Sequence, residues 1–221
     1  MALDQRLAEL NTQACKELPA QEIAIMQRAS ATLRKSGITE QCLQAGESAP
    51  EFTVKDPYGD TITLSTLLKN GPVVINFFRG FWCNYCQAEL NAYQELLQAL
   101  QNLNTNYLAI SPNTPIENQP HSLNNYFQIS DTDNLIAKKF GIVYEVEQSQ
   151  KELFSQWGVD LAKLNHGEKW ELPLPATYII SKKGCVDFKF VHSDYRRRLE
   201  PTRVLERLQE LQNDSWIKYS L

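Results

Sequence analysis

Val73-Val74-Ile75-Asn76-Phe77-Phe78 runs directly into Arg79-Gly80-Phe81-Trp82-Cys83-Asn84-Tyr85-Cys86-Gln87-Ala88-Glu89-Leu90. The first six residues form an apolar run rich in β-branched and aromatic side chains, which reads as a buried strand. Beyond them Leu90, Tyr93, Leu97 and Leu100 recur at helical spacing, predicting a helix from Glu89 to Leu100. The two cysteines therefore sit where a strand gives way to a helix. Unpaired N–H groups and the positive dipole end of a first helical turn favour an anion, and a thiolate is an anion. A Cys-x-x-Cys pair in that place reads as a redox motif. A free cysteine of pKa about 8.5 is only about 3% thiolate at pH 7, whereas a value near 7 makes it about half, a gain of roughly fifteenfold.

Spacing i, i+3 puts both sulfurs on one helix face, with Cys83 as the exposed nucleophile and Cys86 as its partner one turn deeper. Arg79 would add a cation if its side chain turned toward the sulfurs. Trp82, with Phe81, would give an apolar rim for a substrate to rest on. Glu89 reads either as a helix-surface residue or as a proton acceptor near the sulfurs. A zinc half-site is the competing reading, but structural zinc takes four ligands. Cys15, Cys42 and Cys185 are isolated, and His121, His166 and His192 show no ligand spacing. No metal or cofactor is expected.

The 221 residues are 43% hydrophobic and 22% charged, ordinary for one globular domain with an extension. A formal net charge of −4 argues against nucleic-acid or anionic-membrane partners, since no overall positive field exists to drive either. The first residues carry an early acid and no apolar run, unlike a secretory signal. No stretch approaches the ~18 apolar residues of a membrane helix. Five cysteines, an odd number, suit free thiols in a reducing cytoplasm.

Residues 1–45 read as a helical N-terminal extension and 46–221 as the main domain. Leu3, Leu7, Leu10 and Ala14 make one apolar stripe; Ile23, Met26 and Leu33 make a second, stopped by Arg34-Lys35 and Gly37. Packing on the chain's own core is the favoured role for these helices, with Cys15 and Cys42 as core residues. Short strands follow at Ala49–Val54 and Thr61–Leu64, joined by an Asp56–Asp60 turn, with Ser65 as a helix cap. Further strands are expected at Tyr107–Ile110, Phe127–Ile129, Leu172–Ile180 and Cys185–His192, the last pair joined by a Ser181–Gly184 turn. Helices are expected near His121, over Thr132–Phe140, at Glu152–Trp157 and over Leu199–Leu211. Asn165–Glu168 reads as an exposed turn, and Arg196-Arg197-Arg198 as a solvated face or a docking patch for an anionic partner. Alternating strands and helices predict an α/β fold with a partly parallel sheet, its sites in loops at the carboxyl ends of strands, here the cysteine turn and Ser111–Pro115.

A strand, Trp-Cys-x-x-Cys, a long helix and a later proline-led strand pair resemble the thioredoxin superfamily. The resemblance is closer to its peroxiredoxin branch, the alkyl hydroperoxide reductase/thiol-specific antioxidant (AhpC/TSA) family. It is carried by Gly46 to Phe52, Gly71 to Val74, Phe77-Phe78, Trp82, Cys86, Glu89-Leu90, Ser111, Asp131 and Thr177 to Ile180. Arg79-Gly80-Phe81-Trp82-Cys83-x-x-Cys86 and Asp194-Tyr195-x-x-Arg198 are similar to a bacterial peroxiredoxin-like subgroup. This resemblance implies a thioredoxin-like three-layer α/β/α sandwich with a mixed central sheet. It also implies a cis bond before Pro175 facing the cysteines, an antioxidant peroxidase activity, a reductant such as thioredoxin or the glutathione system, and a homodimer.

Position by position, the family's active-site proline corresponds to Arg79, its threonine to Cys83 and its peroxidatic cysteine to Cys86, while its later arginine falls at or near Pro175. By that resemblance Cys86 would meet the peroxide and Cys83 would resolve it; in the thioredoxin scheme Cys83 attacks first. Three functions follow: a thiol peroxidase cycling a Cys83–Cys86 disulfide, a thioredoxin-like disulfide reductase, and a non-enzymatic redox sensor. Cys42 is a further candidate resolving thiol.

Overall fold

The computed structural model describes residues 1–55, 59–113, 125–165 and 169–219. The turn at Asp56-Pro57-Tyr58, the end of the Ser111 loop at Thr114-Pro115, the helix near His121 and the His166–Glu168 part of the exposed turn lie outside them. Two apolar stripes become α1 (Leu3–Glu17) and α2 (Ala20–Lys35), followed by a single turn, α3 (Ile38–Gln41). β1 (Thr53–Lys55) and β2 (Thr61–Thr63) pair antiparallel and lead into α4 (Leu64–Leu68). The cap of α4 is Thr63, whose hydroxyl accepts from the Thr66 N–H; Ser65, expected in that role, donates instead to Glu51.

The buried run is β3 (Val73–Phe77), and the cysteine turn opens α5 (Asn84–Gln94). The single helix expected to reach Leu100 is broken: α5 ends at Gln94, and α6 (Leu97–Asn102) starts after a turn at Glu95-Leu96. Leu97 and Leu100 are buried like Leu90 and Tyr93, so the apolar spacing runs unchanged across the break. Next come β4 (Asn106–Ser111), β5 (Tyr126–Ser130) and α7 (Leu135–Lys139). Asp131 accepts two N–H groups of the first turns of α7, at 2.8 and 2.9 Å. The polar region after it resolves into β6 (Val143–Glu145), α8 (Gln148–Gln156), α9 (Leu161–Leu164) and β7 (Glu171–Pro173), with β6 and β7 antiparallel. β8 (Ala176–Ile180) and β9 (Val186–Val191) form the final hairpin, and α10 (Pro201–Tyr219) follows.

The central sheet runs β5-β4-β3-β8-β9, with β3, β4 and β5 parallel and β8 and β9 antiparallel to their neighbours. The two-residue period of β3 sorts its side chains between two cores. Val73, Ile75 and Phe77 face a core with α4 and α7; Val74 and Phe78 face the other, with α1, α5, α6 and α10. Helices thus cover both faces of a mixed sheet, the expected three-layer sandwich. The extension packs on the chain's own core: Leu3 and Leu7 of α1 lie in the same cluster as both active-turn cysteines, and Met26 of α2 joins Leu153 and Phe154 of α8. Cys15, expected inside, is exposed; Cys42 is buried, but in the core on the opposite sheet face from Cys83 and Cys86. The sheet therefore separates Cys42 from a resolving role.

Because Leu7 belongs to this shared core, Leu7→Ala is expected to lower the unfolding free energy by about 2–4 kcal/mol, the range for a buried leucine truncation. Denaturant titration checks this; a loss under about 0.5 kcal/mol is the surface value and would mean that α1 is only loosely attached.

Candidate active site

Three segments position the cysteines. β3 delivers the chain to the turn, where Gly80 adopts φ +151°. A Cβ there would meet Asn113 Oδ1 at 2.1 Å and the Trp82 ring nitrogen at 2.4 Å, so only glycine lets the turn close. Asn113, in the loop after β4, accepts the Phe81 N–H at 3.0 Å and donates to Asn165 at 2.6 Å, clamping the turn from outside. Cys83 then stands as the N-cap residue of α5, its carbonyl accepting the Cys86 and Gln87 N–H groups. The third segment is the tail after β9, which brings Tyr195 and Arg198 over the pair.

Two buried guanidinium groups reach the two sulfurs. Arg79 Nη1 lies 3.9 Å from Cys83 Sγ, and Arg198 Nη2 lies 3.2 Å from Cys86 Sγ. Arg198 Nε donates to Glu89 Oε2 at 2.6 Å, and Asn76 donates to Glu89 Oε1 at 2.9 Å. Arg198 also donates to the Tyr195 and Arg197 carbonyls, which fixes its head. The Arg79 guanidinium is stacked between the rings of Trp82 and Tyr195, each centroid 4.7 Å away, with Phe154 at 5.5 Å. Its Nε and Nη2 make no close hydrogen bond among the described residues, and the Tyr144 hydroxyl is a further polar group that interacts with the guanidinium.

The sulfurs are electrostatically unequal. A hydrogen bond from the Cys86 thiol pulls the Cys83 pKa well below the ordinary thiol value, against burial, with Arg79, Arg198 and the Cys86 N–H adding to it. Burial, and then that same donated hydrogen bond, push Cys86 well above it. Both directions favour the proton on Cys86 and the negative charge on Cys83. Burial raises the Glu89 carboxyl, while Arg198 and Asn76 oppose the rise. At 2.6 Å from an always-charged guanidinium, Glu89 acts as the anion of a buried ion pair.

A turn that offers a thiolate and a neighbouring thiol is built for two-electron sulfur chemistry, and comparison with known proteins agrees. The AhpC/TSA family model matches residues 45–189. The chain belongs to the AhpC/TSA family. It is 26% identical over 157 residues to the thiol-disulfide oxidoreductase ResA of Geobacillus thermodenitrificans, covering 70% of this chain and 74% of that protein. It is 23% identical over 167 residues to the chloroplastic peroxiredoxin Q of Populus jackii, covering 75% of this chain and 66% of that one. Peroxidoxin BcpB of Mycobacterium tuberculosis shares the fold, with a TM-score of 0.55 at 19% identity over 76% of this chain and 97% of that chain. As a member of the AhpC/TSA family with such relatives, the chain is a thiol oxidoreductase.

Within this AhpC/TSA scaffold the sequence expectations fare unevenly. Arg79 does turn toward Cys83. Cys83, expected to be exposed, is 5% exposed, because Arg79 and the rings around it roof the turn. Trp82 is half-buried and packs on Arg79 and Phe154, so its ring covers the guanidinium rather than standing as a rim. Pro175 is buried at the foot of β8, and the expected cis bond before it is trans, as are all the described peptides. Trans is the ordinary preference of an X–Pro bond, and here Leu174 runs on from β7 with its N–H on the Ile142 carbonyl. The Arg196–Arg198 run is a solvated face only at Arg197: Arg198 is buried and Arg196 grips Asp194 through two side-chain bonds. Glu89 is buried, not on the helix surface. Asn76, Asn113 and Arg198 were not assigned as site residues; the available signals were an isolated asparagine in an otherwise apolar strand and the Asp194-Tyr195-x-x-Arg198 resemblance.

Two outcomes follow from this charge layout. Thiolate ultraviolet absorbance should persist below the ordinary cysteine range; Cys86→Ala should raise the midpoint most and Arg79→Gln less, in the order of their influence on Cys83. Arg198→Met should cost about 3–5 kcal/mol by stranding Glu89, and adding Glu89→Leu should recover most of that loss.

Proposed function

We propose that the protein is a thiol peroxidase for small hydroperoxides, cycling Cys83 and Cys86 between dithiol and disulfide. The observation that carries this reading is the pair of buried guanidinium groups at the sulfurs, with two donor nitrogens of Arg79 unpartnered beside the Cys83 thiolate. The Cys83 thiolate attacks one peroxide oxygen and the O–O bond breaks. The sulfur becomes a sulfenic acid, and the other oxygen leaves as alkoxide or hydroxide and takes up a proton. Donors on Arg79 would stabilise the charge developing on that leaving oxygen. Cys86 then attacks the sulfenic sulfur, its own proton leaves with the hydroxyl as water, and the disulfide forms.

An external dithiol of the thioredoxin type, or a glutathione system, returns the pair to its reduced state by exchange. A reducing compartment such as the cytoplasm suits a disulfide that must be reopened at every turnover. The order differs from the one the family resemblance implies, in which Cys86 meets the peroxide; the charge on Cys83 favours Cys83. A second reading, a protein disulfide reductase, is favoured by the similarity to ResA. Against it stands the burial of both sulfurs, which a peroxide tolerates better than a protein strand does.

Rapid mixing with stoichiometric hydrogen peroxide tests the order. In Cys86→Ser, a sulfenic-acid reagent should label Cys83, and wild-type protein quenched before the disulfide forms should carry the label on Cys83 rather than on Cys86. Arg79→Gln should slow the oxidation by about 10²-fold, the usual loss for one transition-state donor. If Cys86→Ser instead traps a mixed disulfide with a protein disulfide faster than it reacts with peroxide, the reductase reading replaces this one. Oxidation by neither faster than a free thiol would leave only a sensor.

A further inference from the structure

The tail after β9 has a second face. Tyr195 and Arg198 turn to the cysteines, while Asp194, Arg196 and Arg197 turn to a cleft of about 950 Å³ between this tail and the helices α1 and α2. Small-molecule sites are typically roughly 300–1,000 Å³. In a chain of net charge −4, this cleft collects positive groups. Two of its arginines are neutralised: Arg196 by Asp194 and Arg198 by Glu89. The other two, Arg34 on α2 and Arg197 on the tail, are exposed and have no ion-pair partner among the described residues. Asp4, on the α1 wall, likewise has no cation partner among them. Asn11 accepts from Arg196 through its carbonyl oxygen, which leaves its amide N–H groups for a ligand.

We propose that this cleft binds a small zwitterionic peptide with more carboxylates than amines, the carboxylates on Arg34 and Arg197 and the ammonium on Asp4. Guanidinium groups pair with carboxylates in forked geometry, and an ammonium needs an acid. The arginines rise from different walls, and Leu7 and Phe190 line the cleft between polar groups. Charges of both signs and an apolar surface in one cleft suit a carbon-bearing zwitterion better than a compact inorganic anion. His192 also lines the cleft; it accepts the Asp194 N–H through Nδ1. Burial lowers its pKa, Asp194 opposes, and Arg197 and Arg34 lower it further. A carboxylate seated on those arginines would offset their repulsion and raise it. The proposal does not depend on which cysteine reacts first or with what.

S-Methylglutathione is a suitable probe for the full-length protein: it carries two carboxylates and one amine, and its blocked sulfur cannot enter the redox cycle. Calorimetric titration at low ionic strength should give saturable binding, accompanied by an upward shift of the His192 titration in NMR. The Arg34→Gln/Arg197→Gln variant should bind at least about tenfold more weakly, and Asp4→Asn several-fold more weakly, with thermal midpoints lowered only slightly because these exposed charges contribute little beyond the helix-end dipoles. Three results would each overturn the proposal: absence of binding to the wild-type protein, equal binding by the double variant, or displacement of the probe by an equal concentration of inorganic phosphate.

Discussion

Glu89 and Arg198, each with a side chain 1% exposed, meet at 2.6 Å beneath the cysteine pair. Taking both charges out of water costs several kcal/mol per ion, so the contact is sustained only because every neighbour completes it. Asn76 of β3 supplies the second carboxylate oxygen with a donor; the Tyr195 and Arg197 carbonyls and the Cys86 sulfur take up the guanidinium. Three stretches far apart in sequence are thereby fixed to one another: the central strand, the first turns of α5 and the tail. Removing either ion would strand the other and loosen all three. A hydrophobic pair of similar volume would hold the chain equally well but would leave Cys86 without a cation. The ion pair is therefore best understood as the means by which a charge is carried to a sulfur buried inside the fold.

The same logic explains how an AhpC/TSA scaffold functions with Arg79, Cys83 and Pro175 where the family resemblance places a proline, a threonine and an arginine. The physical demand is for positive donors at a sulfur inside the protein; the chain position that meets it is secondary. Arg79 enters from the end of β3 and is held by aromatic faces rather than by acids, which keeps two of its nitrogens uncommitted. Arg198 enters from the tail, committed to Glu89 on one edge and to Cys86 on the other.

Much of this was legible in the sequence, and the limits have physical causes. The β3 run, the helix after it and the paired strands near the C-terminus announced themselves because burial on a sheet or helix imposes a period. The break between α5 and α6 did not, because Leu90, Tyr93, Leu97 and Leu100 keep their spacing across it. β6, β7 and α9 went unseen as separate elements because they are three or four residues long, too short for a period to register. Arg198 was misread because three successive arginines look like surface, and nothing local says that the third turns inward. Its partner Glu89 is 109 positions away, a pairing that only the folded topology creates.

The inequality of the two sulfurs bears on how the proposed cycle is ordered. Cys86 is held in its protonated form by burial and by the negative sulfur beside it, to which it donates its hydrogen bond. Both of the influences that come from Cys83 vanish once Cys83 has reacted, since a sulfenic sulfur carries no charge and no longer needs that bond. What remains against burial is the Arg198 guanidinium, 3.2 Å away, which favours the Cys86 thiolate. In the proposed cycle Cys86 is thus the weaker nucleophile while Cys83 is a thiolate, and a better one when Cys83 has been oxidised. Such a dependence keeps the two thiols from competing for one oxidant, and it requires Arg198 to serve the second step more than the first.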